Sequence, residues 1–185
     1  TAETAQSATL SINTGLVNSN ILFGSNSGIV VTSGSNTGNF SEIAPLTLAA
    51  DYVDFKGVLS ANKIGAITLT GGTGIGSGSD TAVSFTGSIM ADIVGDIVAT
   101  TKDGTTKDGD LVFAPAAITS LAQPNQTVPT STAGLTTVGD VTLKTSSPNN
   151  GGNIRFGSGA VYNANFGAIG FSHQTSLPAC RARTD

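Results

Sequence analysis

Ile67-Thr68-Leu69-Thr70-Gly71-Gly72 decides how this chain is read. Apolar residues fall on every second position with threonine between them, the period of a strand buried on one face. Paired glycine then ends the run as a turn signal. The same short alternation returns at Ala8-Thr9-Leu10-Ser11-Ile12, Leu46-Thr47-Leu48, Val53-Asp54-Phe55, Val83-Ser84-Phe85, Val141-Thr142-Leu143 and Ile154-Arg155-Phe156. Short strands punctuated by Gly, Asn and Ser predict an all-β fold with many turns. One window, Ile89 to Val98, fits a helical period as well, since Ile89, Ile93 and Ile97 are four apart. Gly95 and the β-branched run disfavour a helix there, so we read two short strands joined by a Gly95-Asp96 turn.

The whole chain has 185 residues, 24 Gly, no Trp, 11% charged residues and a net charge of -4. That length suits one domain with a sizeable core. So few charges, against a usual share of about 25%, exclude a coiled coil or helical bundle. The negative balance excludes a basic-patch nucleic-acid binder. A single Cys excludes an internal disulfide framework. The longest apolar runs, such as Gly28-Ile29-Val30-Val31 and Leu111-Val112-Phe113-Ala114, are too short for a membrane span. Gly, Ser, Thr and Asn make up nearly half the chain, but disordered chains lack the Val, Ile, Leu and Phe that recur here.

A longer pattern links the strands: an apolar residue, any residue, Leu or Phe, a spacer of small residues, then Ile or Val. It runs from Leu22 to Ile29, from Leu46-Thr47-Leu48 to Val53, and from Ile67-Thr68-Leu69 to Ile75. It returns from Leu111-Val112-Phe113 to Ile118 and from Ile154-Arg155-Phe156 to Val161. The anchors Phe23, Leu48, Leu69, Phe85, Phe113, Leu143 and Phe156 recur about every 22 residues, within the range of stacked repeats. The expectation is a stack of about eight coils of two or three strands each, with like residues stacked inside. Its core residues are Phe23, Leu48, Leu69, Phe113, Leu143 and Phe156. The alternative is a pilin-like antiparallel β-sandwich in which Ala8 to Ile12 acts as a donor strand for the next subunit. We divide the chain into an N-terminal arm or cap (1–19), a repetitive β-domain (20–172) and a C-terminal tail (173–185).

Ala49-Ala50-Asp51-Tyr52-Val53-Asp54-Phe55-Lys56-Gly57-Val58-Leu59-Ser60, followed by Ile67 to Gly72, resembles the repeats of filamentous haemagglutinin-type exoproteins. Gly139-Asp140-Val141-Thr142-Leu143-Lys144 and Gly151-Gly152-Asn153-Ile154-Arg155-Phe156-Gly157 are similar, so the resemblance covers residues 20–172. It implies a right-handed parallel β-helix from a large secreted adhesin. That family's secretion domain carries an Asn-Pro-Asn-Gly turn, whereas this chain has Ser147-Pro148-Asn149-Asn150-Gly151, which favours a piece of shaft.

Motifs for chemistry are sparse. His173 and Cys180 form the one conceivable Cys-His pair, with no orienting group beside them. Gly24-Ser25-Asn26-Ser27-Gly28 has Asn where a serine hydrolase elbow needs Ser. Asp51 with Asp54, and Asp92 with Asp96, are the carboxylate pairs that a polysaccharide-cleaving β-helix would use as acid and base. Gly76-Ser77-Gly78-Ser79-Asp80 matches half of a calcium-binding repeat. The tandem Thr100-Thr101-Lys102-Asp103-Gly104 and Thr105-Thr106-Lys107-Asp108-Gly109, with Asp110, makes Asp103, Asp108 and Asp110 the candidates for a loosely held calcium ion. Thr68-Leu69-Thr70 has the spacing of an ice-binding pair, and Asn39-Phe40-Ser41 and Asn125-Gln126-Thr127 match the glycosylation pattern.

The expected function is a non-catalytic, extracellular structural or adhesive segment of a surface filament or adhesin. Its partners would be further copies in a filament and a glycan or protein receptor on a host or other surface, with no resident cofactor. The alternatives are a pilin-like filament subunit and an extracellular polysaccharide-acting enzyme.

Overall fold

The computed structural model describes residues 6–15, 19–31, 41–72, 81–101, 109–121, 135–147, 152–157 and 161–175, and among these it contains strands and turns and no helix. A single strand, β1 (Gln6–Asn13), comes first. A three-strand set follows: β2 (Asn20–Phe23), β3 (Gly28–Val30) and the long β4 (Ser41–Ala50). The next set is β5 (Tyr52–Phe55), β6 (Val58–Ser60), β7 (Lys63–Ile64) and β8 (Ile67–Gly71). Then come β9 (Thr81–Phe85), β10 (Ser88–Met90), β11 (Ile93–Val94) and β12 (Ile97–Thr101). The fourth set is β13 (Asp110–Phe113), β14 (Ala117–Thr119), β15 (Thr136–Val138) and β16 (Val141–Ser147). The last is β17 (Ile154–Phe156), β18 (Val161–Tyr162), β19 (Ala164–Phe166) and β20 (Ile169–Thr175).

Each strand pairs with its counterpart in the neighbouring set, giving three sheets. One holds β2, β5, β9, β13 and β17, and a second holds β3, β6, β10, β14 and β18. The third has ten strands, because β4 is long enough for its first half to carry β7 and its second half β8, while β1 lies on it too. Every pairing among the described residues is parallel, so the antiparallel sandwich is not the architecture. The window from Ile89 to Val98 is strand rather than helix, but it holds three segments, β10, β11 and the start of β12, where two were expected, and Gly95-Asp96 separates the last two.

Parallel, in-register pairing puts like residues over like. Phe23 packs tilted on Phe55, and Phe55 stacks on Phe85, Phe85 on Phe113 and Phe113 on Phe156, with ring centroids 4.9, 4.9, 5.3 and 6.1 Å apart. Leu48, Leu69, Ala99, Leu143 and Phe171 form a second column, and Ile29, Leu59, Ile89, Ile118 and Tyr162 a third. Buried residues from all three sheets make one hydrophobic cluster.

These columns correct the spacing inferred from sequence. Phe23, Phe85, Phe113 and Phe156 belong to one sheet, whereas Leu48, Leu69 and Leu143 belong to another. The mean of about 22 residues, itself within the range of stacked repeats, therefore mixed two columns of one longer repeat. Between the second and third sets the true offset is 30 residues, the separation of Asn62 from Asp92, and the described strands form five sets rather than eight.

The corners depend on glycine. At Ile64-Gly65-Ala66-Ile67, Val94-Gly95-Asp96-Ile97 and Val138-Gly139-Asp140-Val141 two residues separate the strands that continue the first and second halves of β4, and each of these corners lies on the one before. Gly95 N donates to Ile64 O at 2.8 Å and Gly139 N to Val94 O at 2.9 Å. A Cβ on Gly95 would lie 2.9 Å from the Ala66 nitrogen, closer than such atoms pack.

Phe85 is fully buried within the aromatic column, so Phe85→Ala should lower the unfolding free energy by roughly 3–5 kcal/mol. Ser84→Ala, one residue away on the outward face, should change it by about 0.5 kcal/mol or less. Urea unfolding of the two variants checks the facing of β9.

Candidate functional site

A buried polar column stands at the corner between the second and third sheets. It is built from the turn after β6, Ala61-Asn62, and the equivalent turn after β10, Ala91-Asp92. Ser41 N and Oγ donate to Asn62 Oδ1 at 3.2 and 2.9 Å, and Asn62 N donates to Ser41 Oγ at 2.9 Å. Asn62 Nδ2 then donates to Asp92 Oδ2 at 3.1 Å. Ser120 Oγ donates to Asp92 Oδ1 at 2.6 Å, and Thr136 Oγ1 donates to Ala91 O at 2.7 Å. Asp92 is fully buried. Burying a carboxylate is costly unless it is hydrogen-bonded, and here both of its oxygens accept.

Asp96 and Asp140 do similar work on the exposed side of the next corner. Asp96 Oδ1 accepts from Asp140 N at 3.0 Å, and Asp140 Oδ1 accepts from Ala168 N at 2.8 Å. Each carboxylate thus satisfies the backbone of the following corner. Asp92 and Asp96, paired on paper as acid and base, are divided between a buried column and an exposed one.

The other candidates fall as follows. Asp110 is described, and its carboxylate accepts from Asn153 N at 2.7 Å and from Asn153 Nδ2 at 3.2 and 3.4 Å, which ties β13 to the start of β17. Asp103 and Asp108 lie outside the described residues, as do Gly76 to Asp80, Asn39, Asn125 and Cys180. Among the described residues, no three His, Cys, Asp or Glu side chains gather to hold a metal ion. The backbone of His173 lies in β20, level with Thr145. Asp51 and Asp54 are both buried, and Asp54 Oδ2 is engaged by Lys56 Nζ at 2.8 Å. Thr68 and Thr70 point outward beside buried Leu69, but their neighbours on β12 are Val98 and Thr100, and on β4 they are Thr47 and Ala49. The Thr-x-Thr pair is not repeated from strand to strand.

What the sequence reading missed was the corner itself. The residues Ala61, Gly65 and Ile67 recur as Ala91, Gly95 and Ile97 at the same offset, with Asn62 and Asp92 in register between them. That recurrence marks Asp92 as a stacking position. No family model, no curated protein and no solved structure matches the chain.

Two phenols have displaced titrations. Burial pushes Tyr52 above its ordinary value of 10.0, and the Asp54 charge and hydrogen bond push it further. Tyr162 is raised by burial. Lys56 is raised by its hydrogen bond to Asp54 and by that carboxylate's charge. In all three the folded chain favours the protonated form. Their contribution is therefore complete below the ordinary pKa and is lost as pH rises through the raised folded value.

Two measurements check this site. Asp92→Asn should be as stable as the parent or more so, because an amide continues the column without a buried charge, with the Ser120 hydroxyl able to accept. Asp92→Ala should lose about 1–3 kcal/mol by leaving Asn62 and Ser120 without their acceptor. Ultraviolet titration of the two tyrosines should give midpoints above 10.0 in the folded chain, returning to the ordinary value in denaturant.

Proposed function

We propose that the three parallel sheets wind as a right-handed parallel β-helix, and that this chain is a structural or adhesive segment of an extracellular surface filament or adhesin. The observation that carries the reading is the use made of the polar side chains. The Ser41-Asn62-Asp92-Ser120 column and the Asp96 and Asp140 corners spend their hydrogen bonds on joining one set of strands to the next. The sets repeat along one direction, as a shaft requires, and the resemblance to haemagglutinin-type repeats points the same way.

In this role the chain works by extension and display. Its partners are further copies of itself and a glycan or protein receptor. No helix among the described residues is long and apolar enough to cross a membrane.

Spin-label distances from Thr47 on β4 to the level positions Thr68, Val98 and Thr142 should grow by about 4.8 Å per set of strands. Distances that do not grow along that series would overturn the β-helical reading. Incubation with acidic and neutral polysaccharides should release no reducing ends. Release that disappears in Asp92→Asn and Asp96→Asn would transfer the chain to the enzymes.

A further inference from the structure

We infer that the groove beside the β2–β3 turn is a subsite for one neutral sugar unit. This rests on the adhesive reading and deepens it, by giving the glycan partner a place and a chemical class.

The groove comes from a difference in corner length. Lys56-Gly57 separates β5 from β6, and Thr86-Gly87 separates β9 from β10. The equivalent corner between β2 and β3 is longer, Gly24-Ser25-Asn26-Ser27. It is held as a tight turn, in which Ser27 N and Ser27 Oγ both donate to Gly24 O, at 3.0 and 2.7 Å. Beside this turn, on the second sheet, lies a groove of about 400 Å³, within the size range of small-ligand sites. Gly28 adds no side chain to it, whereas Val58, Ser88 and Ala117 in the same column each carry one.

The turn contributes Asn26 and Ser27 to the lining, and the sheet contributes Val58, Ser60 and Met90. Ser60 and Met90 are level on β6 and β10, which lie inside their sheet between β3 and β14. This part of the groove therefore belongs to the side of the stack.

The lining selects the occupant. No charged side chain borders the groove. The chain has a net charge of -4, so an anionic ligand meets repulsion with no local cation to offset it. A cationic ligand finds no carboxylate there. A peptide strand would dock on an open sheet edge, and β6 and β10 have none. A purely apolar ligand would leave the Asn26 amide and the Ser60 hydroxyl without partners. A pyranose fits both halves of the lining, since it has hydroxyls around its rim and C–H groups on its faces. Asn26 and Ser60 can each donate and accept. Val58 and the adaptable thioether of Met90 supply apolar contact.

The test titrates the full chain, labelled with nitrogen-15, with the methyl glycosides of glucose, galactose and N-acetylglucosamine, and with methyl glucuronide as the charged control. At least one neutral glycoside should shift the amide signals of Asn26, Ser27 and Ser60 with a Kd on the order of 1 mM, as one ring at ordinary efficiency per atom gives. The glucuronide should not shift them. Asn26→Ala should raise that Kd by about fivefold. Deleting Ser25 and Asn26 shortens the corner to the length of its counterparts and, with parental β-sheet circular dichroism, should abolish the shifts. Where the deletion does not fold, Asn26→Ala decides. No shift with any neutral glycoside at about twentyfold the expected Kd, an unchanged Kd in the turn variants, or equal binding of the glucuronide would overturn the subsite. Shifts confined to residues outside the groove would also overturn it while keeping a glycan partner, and the spin-label distances test the shaft separately.

Discussion

The interaction on which the rest depends is the parallel, in-register hydrogen-bond ladder between successive sets of strands. Parallel neighbours lie about 4.8 Å apart, so each side chain is held against its own counterpart one set away. Residue types that stack on themselves are favoured under that constraint, and types that repel themselves are excluded from the interior. Phenylalanine rings satisfy it by offset stacking, which adds about 0.5–1.5 kcal/mol per pair beyond burial. Leucine and isoleucine satisfy it by interdigitation. Charge satisfies it poorly, which accounts for a chain with only 11% charged residues.

Polar groups obey the same rule by alternating donors and acceptors. Asn62 presents its carbonyl oxygen to Ser41 and its amide nitrogen to Asp92, so one side chain joins three sets. The corner aspartates do this through the backbone, each accepting from the following corner. The last set departs from the pattern. The aliphatic columns end there in Tyr162, Phe166 and Phe171, whose rings meet one another and Phe156 edge to face.

Much of this was legible in the residues. Alternation at Ile67 to Thr70 and Val83 to Phe85 located strands and their buried faces, because a period of two has only one structural meaning in so short a run. The choice of strands over a helix at Ile89 to Val98 followed from Gly95, whose close approach to the preceding corner the structure makes explicit. The repeat length was not legible from the apolar anchors, since each set carries both a Phe and a Leu column and the two interleave along the chain. Nor was the role of Asp92 legible from its spacing to Asp96. Its meaning lay 30 residues away, in Asn62, and distance along the chain hides a contact that the ladder makes immediate.

The central claim, parallel stacking at that offset, is tested most directly by trapping the register in the Cys180→Ser chain. Thr68 and Val98 are level on β8 and β12, both on the outward face. Thr68→Cys with Val98→Cys should oxidise to an intramolecular disulfide without loss of fold, because neighbouring strands hold level positions within disulfide range. Thr70→Cys with Val98→Cys, two residues out of register, should oxidise far more slowly. Equal oxidation of the two variants, or faster oxidation of the second, would contradict the account.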